Sequence, residues 1–287
     1  MHKMAVSRQG ALESISPSVT ISAIGLVRTG VTLTLGMEIA DSPKRPKLSS
    51  RPAPRHFMTE CMRSPKDSGR GGAQVAEDYI FLCVHEGTHI DALSHVGFEG
   101  ELFGGHSTSS VSERGAEALG IEGFGGVATR GVFVDLADSS GAECLQPGRS
   151  ISSRDLATWS EQHTGFRTGD VVYIRTGWLR HHSTMGFAFE DGEPGLGLDG
   201  ARYLADRGVC VVGMDNFGIE PYGPRVDGKL REMPVHVELI QRRGVFLIEF
   251  CDFEELAKTE RFEFLTILAP LAIVGGVGSP INPVVIL

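Results

Sequence analysis

The chain has 287 residues, enough for one large domain or two ordinary ones with a sizeable core and no need of disulfide staples. Its 27 basic and 36 acidic residues leave a formal charge of −9, which argues against non-specific binding to nucleic acid or anionic lipid, because both need a basic surface. Glycine is abundant, at 37 residues against a usual share of ~7%, so many tight turns and close backbone approaches are expected.

The five cysteines are widely spaced and include no C-x-x-C, and Cys83 and Cys210 sit in apolar runs where a thiol behaves as a small hydrophobe. A reduced, cytoplasmic protein is the expectation. No basic segment feeds an apolar stretch of signal-peptide type, and no run approaches the ~18 apolar residues of a membrane span. Neither a membrane nor a nucleic acid is expected as a partner.

In chain order, residues 1–40 hold one candidate strand, Val31–Leu35. From Pro43 to Gln74 five prolines, eight basic residues and Gly69, Gly71 and Gly72 predict a long irregular loop or arm. Short β-branched runs then predict strands at Tyr79–Val84, Gly131–Leu136, Val171–Arg175, Val209–Met214, Val245–Phe250, Leu271–Val274 and Val284–Leu287. Helices are predicted over 153–163, 199–207, 234–243 and 252–258, with Asp199 capping the second, Gly208 ending it, Pro234 in the first turn of the third and Gly244 at its end. The order is α/β with a mixed sheet and no internal repeat. Residues 79–287 are read as one domain, and residues 1–78 as an N-terminal strand and Pro/Arg-rich arm that packs on it or on a second subunit.

The richest segment is His85-Glu86-Gly87-Thr88-His89-Ile90-Asp91-Ala92-Leu93-Ser94-His95. Three imidazoles and a carboxylate at this density suit a first-row divalent metal such as zinc or manganese. Burying them without a shared partner would be costly. The string also matches H-E-x-x-H, the zinc-protease pattern, in which two histidines share a helix face and the glutamate acts on water. Helix is poorly supported here, because the motif follows a strand-like run, has Gly87-Thr88 at its middle and carries Ala92 where a helix-ending glycine is expected. An extended chain fits better: from His89 the polar residues recur with period two at His89, Asp91 and His95, interrupted by Leu93.

The stretch His85-x-Gly87-Thr88-His89-x-Asp91-x-Leu93-x-His95 resembles H-x-G-T-H-x-D-x-P-x-H, the signature of the cyclase-like metal-dependent hydrolases, a family that includes bacterial kynurenine formamidase and isatin hydrolase. Leu93 stands where the signature has proline. The similarity continues through Thr168–Trp178, Pro194-Gly195-Leu196, Val212–Asn216, Pro234-Val235-His236, Ile248-Glu249 and Gly275–Pro280. It implies a swivelling β/β/α-type fold with His85, His89 and Asp91 as metal ligands and His95 as the catalytic acid/base. It further implies that His236 and Glu249 join Asp91 around a second ion where one is present. Path lengths agree: a helix from His236 to Arg243 advances ~10 Å and a strand returning from Val245 to Glu249 covers ~13 Å.

The resemblance implies hydrolysis of an amide, lactam, formamide or lactone bond of a small, cyclic or aromatic substrate, with one or two zinc or manganese ions, in a homodimer or homotetramer. A metal-dependent cyclase or tailoring enzyme of natural-product biosynthesis is the alternative, and an H-E-x-x-H protease a weaker one. Gly195–Gly200 spells G-x-G-x-x-G, but an acidic, turn-rich segment precedes it where a dinucleotide fold needs a strand. Trp178, Phe98, Phe103 and Phe217 stand as candidate pocket aromatics or core residues, His106 as a loop residue, and His181-His182 as an exposed pair.

Overall fold

The computed structural model describes residues 9–40, 51–62, 71–139, 141, 143–185, 191–223 and 232–287. In chain order these form α1 (Pro17–Ile24), β1 (Thr32–Thr34), β2 (Arg55–Glu60), β3 (Glu77–Phe81), β4 (His89–Asp91), β5 (Val111–Ser112), β6 (Gly115–Ala116), β7 (Val127–Asp135) and α2 (Leu136–Ser139). They continue with β8 (Ser150–Ile151), α3 (Ser153–Gln162), β9 (Val171–Arg175), α4 (Trp178–Met185), β10 (Gly195–Leu196), α5 (Leu198–Ala205) and β11 (Val211–Met214). The last elements are α6 (Pro234–His236), β12 (Phe246–Glu249), α7 (Glu254–Ala257), β13 (Glu263–Leu268), β14 (Gly278–Pro280) and β15 (Val284–Ile286).

Nine strands make one mixed sheet in the order β1-β15-β13-β7-β9-β11-β12-β4-β14. Its centre, β7-β9-β11-β12, is parallel. Strands covered on both faces read as unbroken apolar runs, as Val171-Val172-Tyr173-Ile174 and Phe246-Leu247-Ile248 do, and all of these are buried. The flanking strands are antiparallel, and β4 is wedged between β12 and β14 with Glu249 opposite His89 and Gly278 opposite Asp91. The sheet therefore sets Glu249 beside a histidine about 160 residues earlier in the chain. The architecture is a single α/β domain with a curled mixed sheet, of the swivelling β/β/α type.

Local signals explain the helices that the sequence announces. At α3 the Ser152 hydroxyl accepts from the Asp155 amide while the Asp155 carboxylate accepts from the Ser152 amide, a reciprocal cap. Asp199 is not the cap of α5. It lies in the first turn, where its carboxylate accepts from the Ser153 amide and hydroxyl and so ties α5 to the start of α3. The helix expected over 234–243 is one α-turn followed by a wider π-helical segment, Val237–Arg242, ended at Gly244 with φ +66°.

Two strand expectations are corrected. The run Tyr79–Val84 does not enter the main sheet. Its first part belongs to β3, which pairs with β2 in a separate hairpin whose residues are nearly all exposed, so part of the arm expected to be irregular is extended and paired. Leu271–Val274 is an exposed loop rather than a strand, and the strand paired with β7 and β15 is β13. Pro270 and the Gly275-Gly276 pair bracket that apolar loop and deny it ladder partners. Helices α1 and α4 carried no signal strong enough to be read in advance. Among the described residues no helix is long and apolar enough to cross a membrane, and all five cysteines are free thiols.

Candidate metal centre

The segment 84–88 is a turn, not a helix, so His85 and His89 do not share a helix face and the geometry of an H-E-x-x-H protease is missing. Gly87 takes φ +57°, a left-handed conformation that glycine adopts without strain, and swings His85 back over the strand that follows. Thr88 anchors the turn: its hydroxyl donates to the Phe250 carbonyl at 2.6 Å and accepts from the Met37 amide at 2.8 Å. His89 and Asp91 then lie two residues apart on β4 and project to one face, while Ile90 between them enters the core.

The extended run ends sooner than its period-two pattern predicts. After Asp91 the chain turns, with Leu93 buried in the core and the His95 amide donating to the Ala92 carbonyl at 2.9 Å. His95 thus reaches the site by a turn, its ring centroid 4.3 Å from that of His85. Gly278, on the neighbouring strand, is there because of His85: a Cβ at this position would lie 2.6 Å from His85 Cε1.

His236 reaches the site from α6, whose start is set by Pro234. Glu220 holds it. This buried carboxylate accepts from the Val235 amide at 3.0 Å, the His236 amide at 2.9 Å and His236 Nδ1 at 2.7 Å. With Nδ1 donating, Nε2 faces the site, 3.3 Å from Glu249 Oε1 and 3.6 Å from Asp91 Oδ2. His89 Nδ1 is likewise engaged by the Gly87 carbonyl at 2.8 Å, leaving its Nε2 3.2 Å from Glu249 Oε2 and 3.6 Å from Asp91 Oδ1.

Backbone strain adjoins both glutamates. Ile219, just before Glu220, has φ +58°, and Phe250, just after Glu249, has φ +55°. Such conformations cost about 1–3 kcal/mol each in bulky residues and persist where surrounding structure enforces them. Gly195 permits the first, since a Cβ there would fall 2.3 Å from the Glu220 backbone.

Five side chains consequently form two donor groups joined by Asp91: His85, His89 and Asp91 in one, Asp91, His236 and Glu249 in the other, with the donor atoms of each group within 4.8 Å of one another and all buried. His85 Nδ1 lies 2.9 Å from Asp91 Oδ1, yet neither ring nitrogen of His85 and neither oxygen of Asp91 makes a hydrogen bond. Buried polar atoms left without partners by the protein call for a cation, and imidazole nitrogen with carboxylate oxygen is a donor set that zinc or manganese accepts. The residues fit a divalent metal.

The electrostatics agree. Burial alone would raise the Asp91 carboxyl, but His95, His236 and His85 outweigh it and hold Asp91 well below the usual carboxylate range. Burial also opposes a charged His236 ring, and Glu220, Asp91 and Glu249 overcome that and raise it well above the ordinary histidine value. His95 differs from both. Burial pushes it down to about 4, leaving a neutral imidazole at pH 7 beside the two donor groups and outside them.

Among the candidate aromatics, Trp178 is wholly buried against Phe250 in a small apolar cluster with Leu179, while Phe103 packs partly buried on the separate main core. Phe98 is exposed beneath Arg242. Phe217 packs on Phe250 with the Arg51 guanidinium 5.4 Å above its ring, and Arg51 also donates to the His85 carbonyl. His182 is buried against Trp178 rather than exposed. Reading the sequence missed Glu220 and Glu193, the latter accepting from the Phe217 and Gly218 amides. Neither sits in a spacing that marks it; only a buried carboxylate facing backbone amides reveals the role.

No curated protein sequence matches the chain. The fold superposes on the crystal structure of a novel cyclase, with a TM-score of 0.84 and 29% identity over 98% of this chain and 96% of that one. It also matches an isatin hydrolase bound to the product analogue thioisatinate, with a TM-score of 0.64 and 18% identity over 95% of this chain and 99% of that one. A structure described as a predicted metal-dependent hydrolase from Bacillus stearothermophilus matches with a TM-score of 0.54 and 22% identity over 89% and 97% of the two chains. The Cyclase family model covers residues 26–221, which include the whole His85–His95 stretch. By that match, with the same fold extending over nearly all of its length, the chain belongs to the Cyclase family.

Proposed function

We propose that this protein is a metal-dependent hydrolase that cleaves an amide, lactam, formamide or lactone bond of a small cyclic or aromatic substrate. One observation carries the reading: a single buried carboxylate, Asp91, joins two donor groups at whose edge a neutral histidine, His95, stands. His85, His89 and Asp91 would hold one zinc or manganese ion, and Asp91, His236 and Glu249 a second. A divalent ion in such a site supplies a Lewis acid for the substrate carbonyl and lowers the pKa of water toward ~7. His95 takes a proton from the attacking water and returns it to the leaving nitrogen or oxygen, a role for which a neutral, unligated imidazole is suited. Glu220 keeps the His236 ring turned so that Nε2 faces Asp91 and Glu249.

The shared fold with an isatin hydrolase supports small cyclic amides as the first substrates to try. Purified protein loaded with zinc, or separately with manganese, should hydrolyse at least one class among isatins, N-formylated anilines and small lactams, and chelation should abolish the activity. Absence of turnover on all three with a fully occupied site would sink the hydrolase reading in favour of a cyclase or tailoring role. Glu86→Gln separates the protease mechanism, which it would abolish, from the proposed one, in which activity stays within a few-fold.

A further inference from the structure

A cation sits against the turn that carries His85. Arg51, half-buried, donates from Nη1 to the His85 carbonyl, and its guanidinium carbon lies 5.4 Å from the centroid of the Phe217 ring. Elsewhere in the domain Arg130 pairs with Asp170, Arg175 with Asp135 and Glu254, and even the exposed Arg202 with Glu238. Among the described residues Arg51 pairs with no carboxylate, and its Nε and Nη2 make no hydrogen bond. Nε and Nη2 together form the edge of a guanidinium that grips both oxygens of a carboxylate. A partly desolvated charge with that edge open lacks the partner that would offset its burial.

An aromatic wall runs from this open fork to the candidate metal centre. Phe217, whose amide donates to the buried Glu193 carboxylate at 2.8 Å, packs on Phe250 with centroids 5.7 Å apart, and Phe250 lies 6.3 Å from His89. The His85 carbonyl that Arg51 holds is only a few covalent bonds, at most ~7 Å, from the ring nitrogen His85 offers to the first donor group. Fork and donor group are therefore separated by the length of a small molecule.

We propose that Arg51 is a specificity-determining residue that binds a carboxylate on the substrate, so that the amide accepted at this site is one whose aromatic ring carries an acid group. The bond cleaved follows from the proposed function, on which this assignment rests; the acid group and the ring follow from Arg51 and Phe217. The substrate ring lies along Phe217, its carboxylate on Nε and Nη2 of Arg51, and its amide carbonyl toward Asp91. A neutral anilide leaves the fork unused.

Calorimetric titration of the zinc-loaded protein with 2-, 3- and 4-aminobenzoate, the products that N-formylated substrates of this class leave, and with the matching uncharged aminobenzamides tests this. At least one aminobenzoate should bind about 10–100-fold more tightly than its amide, the difference a charge-assisted contact makes. Arg51→Gln should abolish that preference with zinc content and the circular dichroism spectrum unchanged. Equal affinity for acid and amide in the native protein overturns the proposal. So does a preference that survives Arg51→Gln, because the carboxylate is then held by the zinc. If that variant does not fold, Arg51→Lys decides, since it keeps the charge and loses the fork: the preference should fall several-fold, and an undiminished preference overturns the proposal. Binding is read without turnover, so the subsite and the proposed function fail separately. Arg51-dependent affinity with no hydrolysis of any amide strikes the function and keeps the carboxylate subsite, whereas hydrolysis of neutral anilides with no preference for the acid keeps the function and strikes the subsite.

Discussion

The two donor groups share Asp91 but are built in opposite ways. His85, His89 and Asp91 come from seven consecutive residues, a turn and a three-residue strand, and the ring of His85 and both oxygens of Asp91 have no hydrogen-bond partner. His236 and Glu249 come from a helix start and a strand end in another part of the chain, and both are already engaged, His236 by Glu220 and both by each other. A local group can be compact without being satisfied, since neighbouring residues cannot easily reach round to pair one another. A group assembled by tertiary structure brings its supporting partners with it. On the proposed reading a cation would offset the burial of the first group, while in the second it would displace imidazole protons.

Removing the shared member should break both halves at once. Asp91→Ala is expected to lower activity by at least about 10³-fold and to leave metal content, measured by plasma mass spectrometry, near zero; retention of one ion per chain would show that the groups are independent. Next in size, His95→Ala should cost about 10²–10⁴-fold in kcat while metal content stays at the native level, because an acid/base acts on protons and not on the ion. Loss of metal in that variant would make His95 a ligand instead. Glu220→Gln sharpens the contrast, since it touches one group only: affinity for one ion is expected to fall about 10–100-fold while the other is unchanged, read by titration against a chelator.

The smallest effect concerns the metal-free protein. His236 has a folded pKa above its unfolded value near 6.5, so its pairing with Glu220, Asp91 and Glu249 stabilises the fold fully below that pH and is lost as pH rises through the raised value. Urea unfolding of chelator-treated protein should show stability declining as pH rises above the ordinary histidine value, with the decline weakened in His236→Gln. An unchanged profile in the variant would mean that another group carries the pH dependence.

How far each half could be read in advance follows from the same contrast. The first group lay open in the string His85–His95, and the parallel strands were legible as buried β-branched runs; β9 has the bounds expected, Val171–Arg175. His236 and Glu249 were nameable only through resemblance and a path-length argument, and Glu220 not at all, because nothing in Gly218-Ile219-Glu220-Pro221 distinguishes a buried carboxylate from a solvated one. The strand readings that failed, Tyr79–Val84 and Leu271–Val274, did so for a related reason. An apolar run reports that burial is favourable but not which surface provides it, and these two lie in an exposed hairpin and an exposed loop.

By itself, then, the sequence determined the α/β class, the central strands and the chemistry of a site rich in imidazole and carboxylate, because periodicity and residue type are local properties. Only the tertiary structure decided that β4 is wedged between β12 and β14, that Gly278 leaves room for the His85 ring and that Glu220 turns His236 inward. Those are contacts between residues up to about 190 positions apart, and their energies depend on distances that no local pattern encodes.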